Sequence, residues 1–361
     1  MRIVFTSYTY SANFHDPLQW LIRIEAYVGI LEELSKIHEV ISIEQINYEG
    51  TYVKKGVDYR FLKTKSAIFP LGLHNYIHRL RPDIAFVHGM HFPMQLIQLK
   101  RKLGKNVKIF VQNHAEKPAK GWKRWFQKIA DNSISGYFFA SGQIGLPWVE
   151  KRIISDKSKI HEVMEASSVF QPMDKIEARK ITGVEGGPIF IWVGRLDANK
   201  DPLTVIDAFS KFLPHQPHAR LYMFFHTEEL KQEIINRIGA FKNNIILIGR
   251  VPHAELQAWF NSSDFIISAS HYEGSGVAVC EGMSCGCIPL VTNIPSFRMM
   301  TGHGKCGRLY EAGRADELLQ LLIETETMDI EVERKKVLQQ FQSALSFKAI
   351  AEKIAQVLAS S

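Results

Sequence analysis

Short apolar runs alternate with amphipathic stretches along nearly the whole chain. Buried parallel strands joined by surface helices read this way, because a strand covered on both faces needs no polar alternation. Residues 2–7, Arg-Ile-Val-Phe-Thr-Ser, predict the first strand. Asp16-Pro17 then offers a capping side chain and a proline for the first helical position. Leu18, Leu21, Ile22, Ile24, Val28, Leu31 and Leu34 follow at helical spacing. Further strands are expected at residues 83–88, 107–112 and 135–140. A second series begins past the middle, with strands near 188–193, 219–225, 244–248, 264–268 and 288–291 and helices near 202–213, 228–238, 253–260 and 276–285. Residues 347–358 close the chain as an amphipathic helix carrying Ile350, Ile354, Val357 and Leu358 on one side.

A length of 361 residues, with 46% hydrophobic and 22% charged, fits two globular domains and excludes global disorder. The least periodic join surrounds Gln171-Pro172, which places domains at 1–168 and 169–345 with a terminal helix at 346–361. No run approaches the roughly 18 apolar residues of a membrane span, and the opening Met1–Phe5 turns polar too soon for a leader peptide. Cys280, Cys285, Cys287 and Cys306 lack zinc-site spacing and read as small buried thiols of a reducing compartment. The expected location is the cytoplasm.

Ligands of such sheets bind at the carboxyl ends of the strands, so polar residues just after strands carry the chemistry. One such stretch is Ser268 to Pro289, where an apolar strand yields to a turn with Glu273, Gly274 and Gly276 and then to a helix carrying Glu281. The amides of Gly276 and Val277 would stand at the positive end of that helix, a natural seat for phosphate. Glu273 and Glu281 can share one face and accept from sugar hydroxyls; the plainer alternative is a helix capped by a loop glutamate. A second stretch is Val193-Gly194-Arg195-Leu196-Asp197-Ala198-Asn199-Lys200-Asp201-Pro202. There Arg195 and Lys200 would project from a strand end toward a diphosphate, or else Lys200 would pair with Asp197 or Asp201.

Together these stretches resemble the family 4 retaining glycosyltransferases of GT-B fold, which carry Gly-Arg-Leu-x4-Lys and Glu-x7-Glu in this order. Gly249-Arg250-Val251-Pro252 and Gly286-Cys-Ile-Pro289 extend the resemblance through the second domain, while the first matches more loosely, at Pro82 to Gly89 and at His114. The resemblance implies two Rossmann-like doubly wound α/β domains facing a central cleft, the first on the acceptor side and the second binding a nucleotide-sugar, with the last helix crossing back to the first domain. It assigns Arg195 and Lys200 to the donor diphosphate, Glu281 to the ribose, Glu273 to the donor sugar, Gly276 and Val277 to phosphate, and Arg250 and Val251 to the base. His114 would reach the transferred sugar and the acceptor. On this pattern the catalytic set is Glu273, His114, Arg195 and Lys200. The chemistry is expected to be retaining, to need no cofactor, and to need no metal; the chain has no Asp-x-Asp. The loop after the first strand lacks the family's Gly-Gly, leaving Tyr8 and Tyr10 as acceptor-side candidates. Ser275, Met164 to Ser168 and Phe224-Phe225-His226 also depart from the pattern, without removing a donor contact. Two other readings stand beside this one: a GT-B-like sugar-nucleotide epimerase, and a non-catalytic GT-B subunit that binds a membrane or partner.

Charge adds one more feature. Residues 1–168 hold 24 Lys and Arg against 15 Asp and Glu, whereas 169–361 hold 20 against 22. The excess concentrates at 100–128, where Trp122, Trp125, Phe126 and Ile129 share a helical face beside Lys123, Arg124 and Lys128. Such a helix can rest at an anionic membrane surface through Trp122, Lys123, Arg124 and Trp125. Packing of those aromatics on the sheet is the favoured expectation, since most helices of such a fold bury their apolar face. No nucleic-acid motif is present. The expected partners are a nucleotide-sugar donor, a sugar, glycan or lipid-linked acceptor, and an anionic surface at the inner face of the membrane as the second placement. Cell-surface glycan or glycolipid synthesis is the setting the resemblance implies.

Overall fold

The computed structural model describes residues 1–64 and 69–360. The chain divides into two units, Met1–Ser167 with Phe347–Ser361, and Ser168–Ser346.

In the first unit the described strands are β1 (Arg2–Ser7), β2 (Glu39–Gln45), β3 (Gly50–Lys54), β4 (Val57–Leu62), β5 (Ile84–His88), β6 (Lys108–Gln112), β7 (Gly136–Phe139) and β8 (Ile160–Glu162). They form one sheet in the order β3-β4-β2-β1-β5-β6-β7-β8, parallel throughout except for β3. Phe5 lies opposite Phe86, and Phe86 opposite Phe110. These rings are buried and adjacent, with Phe5 and Phe86 centroids 4.9 Å apart. The apolar runs are strands because both faces of the sheet are covered.

Two features depart from the sequence reading. The run from Leu18 to Leu34 is two helices, Pro17–Arg23 and Glu25–Leu34, interrupted at Ile24, whose φ of −109° and ψ of 21° leave the helical region. The first is anchored separately, by the Asp16 cap and by Trp20, which donates to half-buried Glu44 and packs against Phe14. Between Leu34 and Asp83, where no strand is expected, lie β2 and the β3–β4 hairpin. The final helix, Phe347–Ser360, packs on Glu25–Leu34. Gly29 admits the Phe347 ring so closely that a Cβ there would sit 2.6 Å from it.

The second unit holds β9 (Ile189–Val193), β10 (Arg220–Phe224), β11 (Ile245–Gly249), β12 (Phe265–Ser268), β13 (Ile288–Thr292) and β14 (Arg308–Tyr310), all parallel, in the order β11-β10-β9-β12-β13-β14. Phe190 stacks on its register partner Phe265 at 4.9 Å. The four cysteines are buried and unbridged, and burial pushes each thiol above its ordinary range. Among the described residues no helix is long and apolar enough to cross a membrane.

Each sheet reverses its winding once. The chain moves outward from β9 to β11 and then returns to place β12 against the other side of β9. The connections after β9 and β12 therefore diverge and leave a crevice between them. In the first unit the same reversal separates β1 from β5.

Candidate functional site

The two motif stretches occupy the two connections at the β9/β12 reversal. After β9 the backbone turns through Gly194, and Asp201, at φ 43°, caps the helix Pro202–Phe212 by accepting from Thr204. After β12 the chain reaches Gly276, also left-handed at φ 55°, which caps Val277–Ser284. The two connections are tied together: His271 donates its amide to Asn199 at 2.8 Å, Asn199 returns a side-chain bond to the Tyr272 carbonyl at 3.0 Å, and His271 Nε2 meets Asp201 at 3.1 Å.

Within this frame Lys200 makes an ion pair with Glu273, both largely withdrawn from solvent. The lysine does not pair through its ammonium with Asp197; that carboxylate instead accepts from the Lys200 amide at 2.9 Å and pairs with Arg195 at 3.1 Å. Arg195 remains more than half exposed. Glu281 is buried near the middle of its helix, and its Oε1 takes a 2.6 Å bond from His253 Nε2. The His253 ring in turn lies on Phe170, with centroids 4.9 Å apart. The arrangement thus presents two cations, two carboxylates and the opening amides of a helix at one sheet edge. That set can neutralise an incoming diphosphate and accept bonds from sugar hydroxyls.

His253 was absent from the candidates, although it directly follows Arg250-Val251-Pro252. Arg250 is exposed and Val251 partly so, on the connection leaving β11. Asn199 and His271 were also missed, and Asp201 was read only as a partner for Lys200. Their signal is their position in the same two connections, since the residues that brace two loops come from those loops.

His114 belongs to the first unit, on the connection after β6, and is partly exposed. It pairs through Nδ1 with the carboxylate of Glu165, and its Nε2 lies 3.1 Å from Nδ1 of His88. Nε2 of His88 is 2.7 Å from the Tyr27 hydroxyl. A continuous chain, Glu165–His114–His88–Tyr27, results. Burial pulls the His114 pKa down, but the hydrogen bond and charge of Glu165, helped by Glu116, lift it above its ordinary 6.5. Burial, and then the neighbouring His114, hold His88 well below that value. A proton added to the pair therefore goes to His114, which then donates to Glu165 and to His88.

Replacing Glu165 with glutamine is expected to lower the His114 pKa, because the neutral amide keeps the shape but removes the charge. A group whose folded pKa exceeds its unfolded value stabilises fully below the unfolded pKa and loses that effect as pH rises through the folded pKa. Wild-type and Glu165→Gln melting temperatures should therefore diverge most below pH 6.5 and converge above the folded pKa of His114. Histidine Cε1–H titration by NMR reads the shift directly. An unmoved His114 titration would show that Glu165 does not govern it.

One candidate and one packing expectation need correction. Tyr8 is buried, its hydroxyl 3.0 Å from His74 Nε2 and its ring against Phe92, so it does not line an open loop. Tyr10 is partly exposed on that connection. Trp122 and Trp125 do not pack on the sheet: both are exposed, while Gln127, Ala130 and Asp131 of the same helix are buried. Polar side chains occupy the inner face because each is satisfied there. Asp131 accepts from Tyr137 at 2.9 Å and from the Ser155 amide at 3.1 Å, and Gln127 accepts from the Ala119 amide at 3.1 Å.

Comparison with known proteins places these features. Residues 174–340 match the family described as Glycosyl transferases group 1. A GDP-mannose:cellobiosyl-diphosphopolyprenol alpha-mannosyltransferase of Xanthomonas campestris is 22% identical over 314 residues, covering 82% of this chain and 75% of the relative. The structure of Anabaena Alr3699/HepE in complex with UDP superposes with a TM-score of 0.72 over the full length of both chains, at 12% identity. Sucrose-phosphate synthase from Thermosynechococcus elongatus aligns with a TM-score of 0.68 over 99% of this chain and 98% of its own, at 14% identity. The matched segment contains Arg195, Lys200, Glu273 and Glu281 together with the β9/β12 reversal that carries them. The chain thus has the GT-B fold, and residues 174–340, which carry its candidate site, match the group 1 glycosyltransferases.

Proposed function

We propose that this protein transfers a sugar from a nucleoside-diphosphate sugar to an acceptor hydroxyl with retention of anomeric configuration and without a metal. The observation that carries the reading is the placement of Arg195, Lys200, Glu273 and Glu281 on the two connections of one topological switch point, beside the first amides of a helix. Arg195 and Lys200 bind the diphosphate, Gly276 and Val277 add amides to it, Glu281 holds the ribose, and Glu273 faces the donor sugar. Arg250 and Val251 lie toward the base. His114 acts on the acceptor side with Tyr10. In the transfer the bond from the anomeric carbon to the phosphate oxygen breaks as the acceptor oxygen bonds on the same face. The acceptor proton passes to the departing phosphate. Positioning and charge neutralisation supply the catalysis. The Xanthomonas relative, named for a diphosphopolyprenol acceptor, supports a lipid-linked glycan acceptor and a role in cell-surface glycan or glycolipid synthesis.

A panel of UDP-, GDP- and ADP-sugars tests this. Release of nucleoside diphosphate together with a glycosylated product is expected, with the α or β linkage of the donor kept. An altered sugar on an intact nucleotide would instead establish epimerisation. Absence of any thermal stabilisation by any donor would support the non-catalytic reading.

A further inference from the structure

In the first unit, large apolar side chains stand in solvent on three separate connections. Trp122 is 72% exposed and Trp125 60%, just after β6; Leu18 is 51% and Ile22 65%, after β1; Leu71 is 64%, after β4. These strands run parallel in one sheet, so all three connections leave the same edge. Leu18 and Leu71 open their helices, and Ile22 is one turn further on, about 6 Å along the axis. Scattered single apolar residues are ordinary on a surface, but a set gathered on one edge, two of them tryptophans, is not.

Among the described residues of these three connections the exposed charges are cations, while exposed Glu49 stands on the neighbouring connection after β2. Lys117, Lys120 and Lys123 are exposed on the Trp122 connection and helix start, and the Lys123 ammonium lies 6.0 Å from the Trp122 ring. The acids nearby are already engaged: Asp16 caps Leu18 at 2.8 Å, and Glu116 accepts from the Met90 amide at 2.8 Å and from Asn113 at 2.9 Å. Arg124 is half-buried, with Nε donating to the Ala119 carbonyl.

We propose that this edge of the first unit docks on an anionic lipid bilayer, with Trp122, Trp125, Leu18, Ile22 and Leu71 entering the interface and Lys120 and Lys123 meeting headgroups. A protein partner would favour one contiguous groove. Separate apolar tips flanked by cations instead match a fluid surface that takes each tip independently, with tryptophan at the headgroup level. His114 leaves the same sheet edge, after β6, so an acceptor held in the membrane would be delivered beside it. The docking proposal does not depend on the donor chemistry.

Flotation of the full chain with vesicles, without donor, tests it. The protein is expected to float with phosphatidylcholine–phosphatidylglycerol vesicles, not with phosphatidylcholine alone, and to be released by salt. Trp122→Ser with Trp125→Ser, and separately Lys123→Glu with Lys120→Glu, should each weaken partitioning at least roughly tenfold while leaving the melting temperature unchanged. Equal flotation on both vesicle types, no flotation, or unchanged flotation of either variant overturns the proposal. Concentration-dependent self-association that the tryptophan variant abolishes, without flotation, identifies a second copy of the chain as the occupant and overturns it as well. Donor turnover unaffected by these substitutions leaves the transferase reading standing whichever way flotation falls.

Discussion

Replacing Lys200 with alanine is expected to lower kcat/KM for the donor by about 10²–10³-fold, the range for losing one preorganised group from developing charge in a shielded site. The lysine is held from both ends. Its amide is fixed by Asp197 at 2.9 Å, and its ammonium rests on Glu273 across the crevice. An arriving diphosphate offers the ammonium more charge than Glu273 does, so donor binding exchanges one partner for another without moving the backbone. The variant also strands the Glu273 carboxylate without its cation in a poorly solvated position, which costs stability. Thermal melting separates the two effects: a folded variant whose saturated turnover remains low reports lost catalysis. Lys200→Arg should recover part of the activity, since it restores charge with a different geometry. Full kcat/KM in folded Lys200→Ala would remove the ammonium from the mechanism.

That ion pair was beyond the reach of the sequence, and its separation explains why. Lys200 and Glu273 lie 73 positions apart, His253 and Glu281 28 apart, and only the strand order brings their connections together. The strands themselves were legible where they are buried on both faces, as in Ile189–Val193, because continuous apolar runs bounded by turn residues have few other uses. The β3–β4 hairpin was not, since its turn is Lys55-Gly56, both at positive φ, rather than the Asn-Gly that marks such turns. Periodicity also showed that Trp122, Trp125 and Phe126 share a face, but not which face turns inward. That choice was settled by Tyr137, Ser155 and Ala119, whose bonds make Asp131 and Gln127 the buried side. A helix was predicted correctly and oriented wrongly, because hydrogen-bond satisfaction outweighed the apolar stripe.

Gly276 joins fold to function most tightly, and Gly276→Ala is expected to cost about 2–5 kcal/mol in the stability of the second unit. Two terms add. At φ 55° an L residue is about 1–2 kcal/mol less favourable than glycine. The new Cβ would also stand 2.6 Å from Cε1 of Phe297, a buried ring with Met300 behind it, and overpacking of this kind costs about 1–3 kcal/mol. For a unit of this size the melting transition should fall by roughly 5–15 °C. Relief of the clash moves the start of Val277–Ser284, so donor affinity should fall even at temperatures where the variant is folded. Val277→Ala, which keeps the amide and removes a partly exposed side chain, should leave donor affinity close to wild type. The ring contact predicts coupling as well: Phe297→Leu opens space at Cε1, so the Gly276→Ala and Phe297→Leu double variant should be more stable than the sum of the single losses. Strict additivity in that cycle would show that the left-handed backbone, and not the Phe297 ring, is what excludes every other residue from position 276.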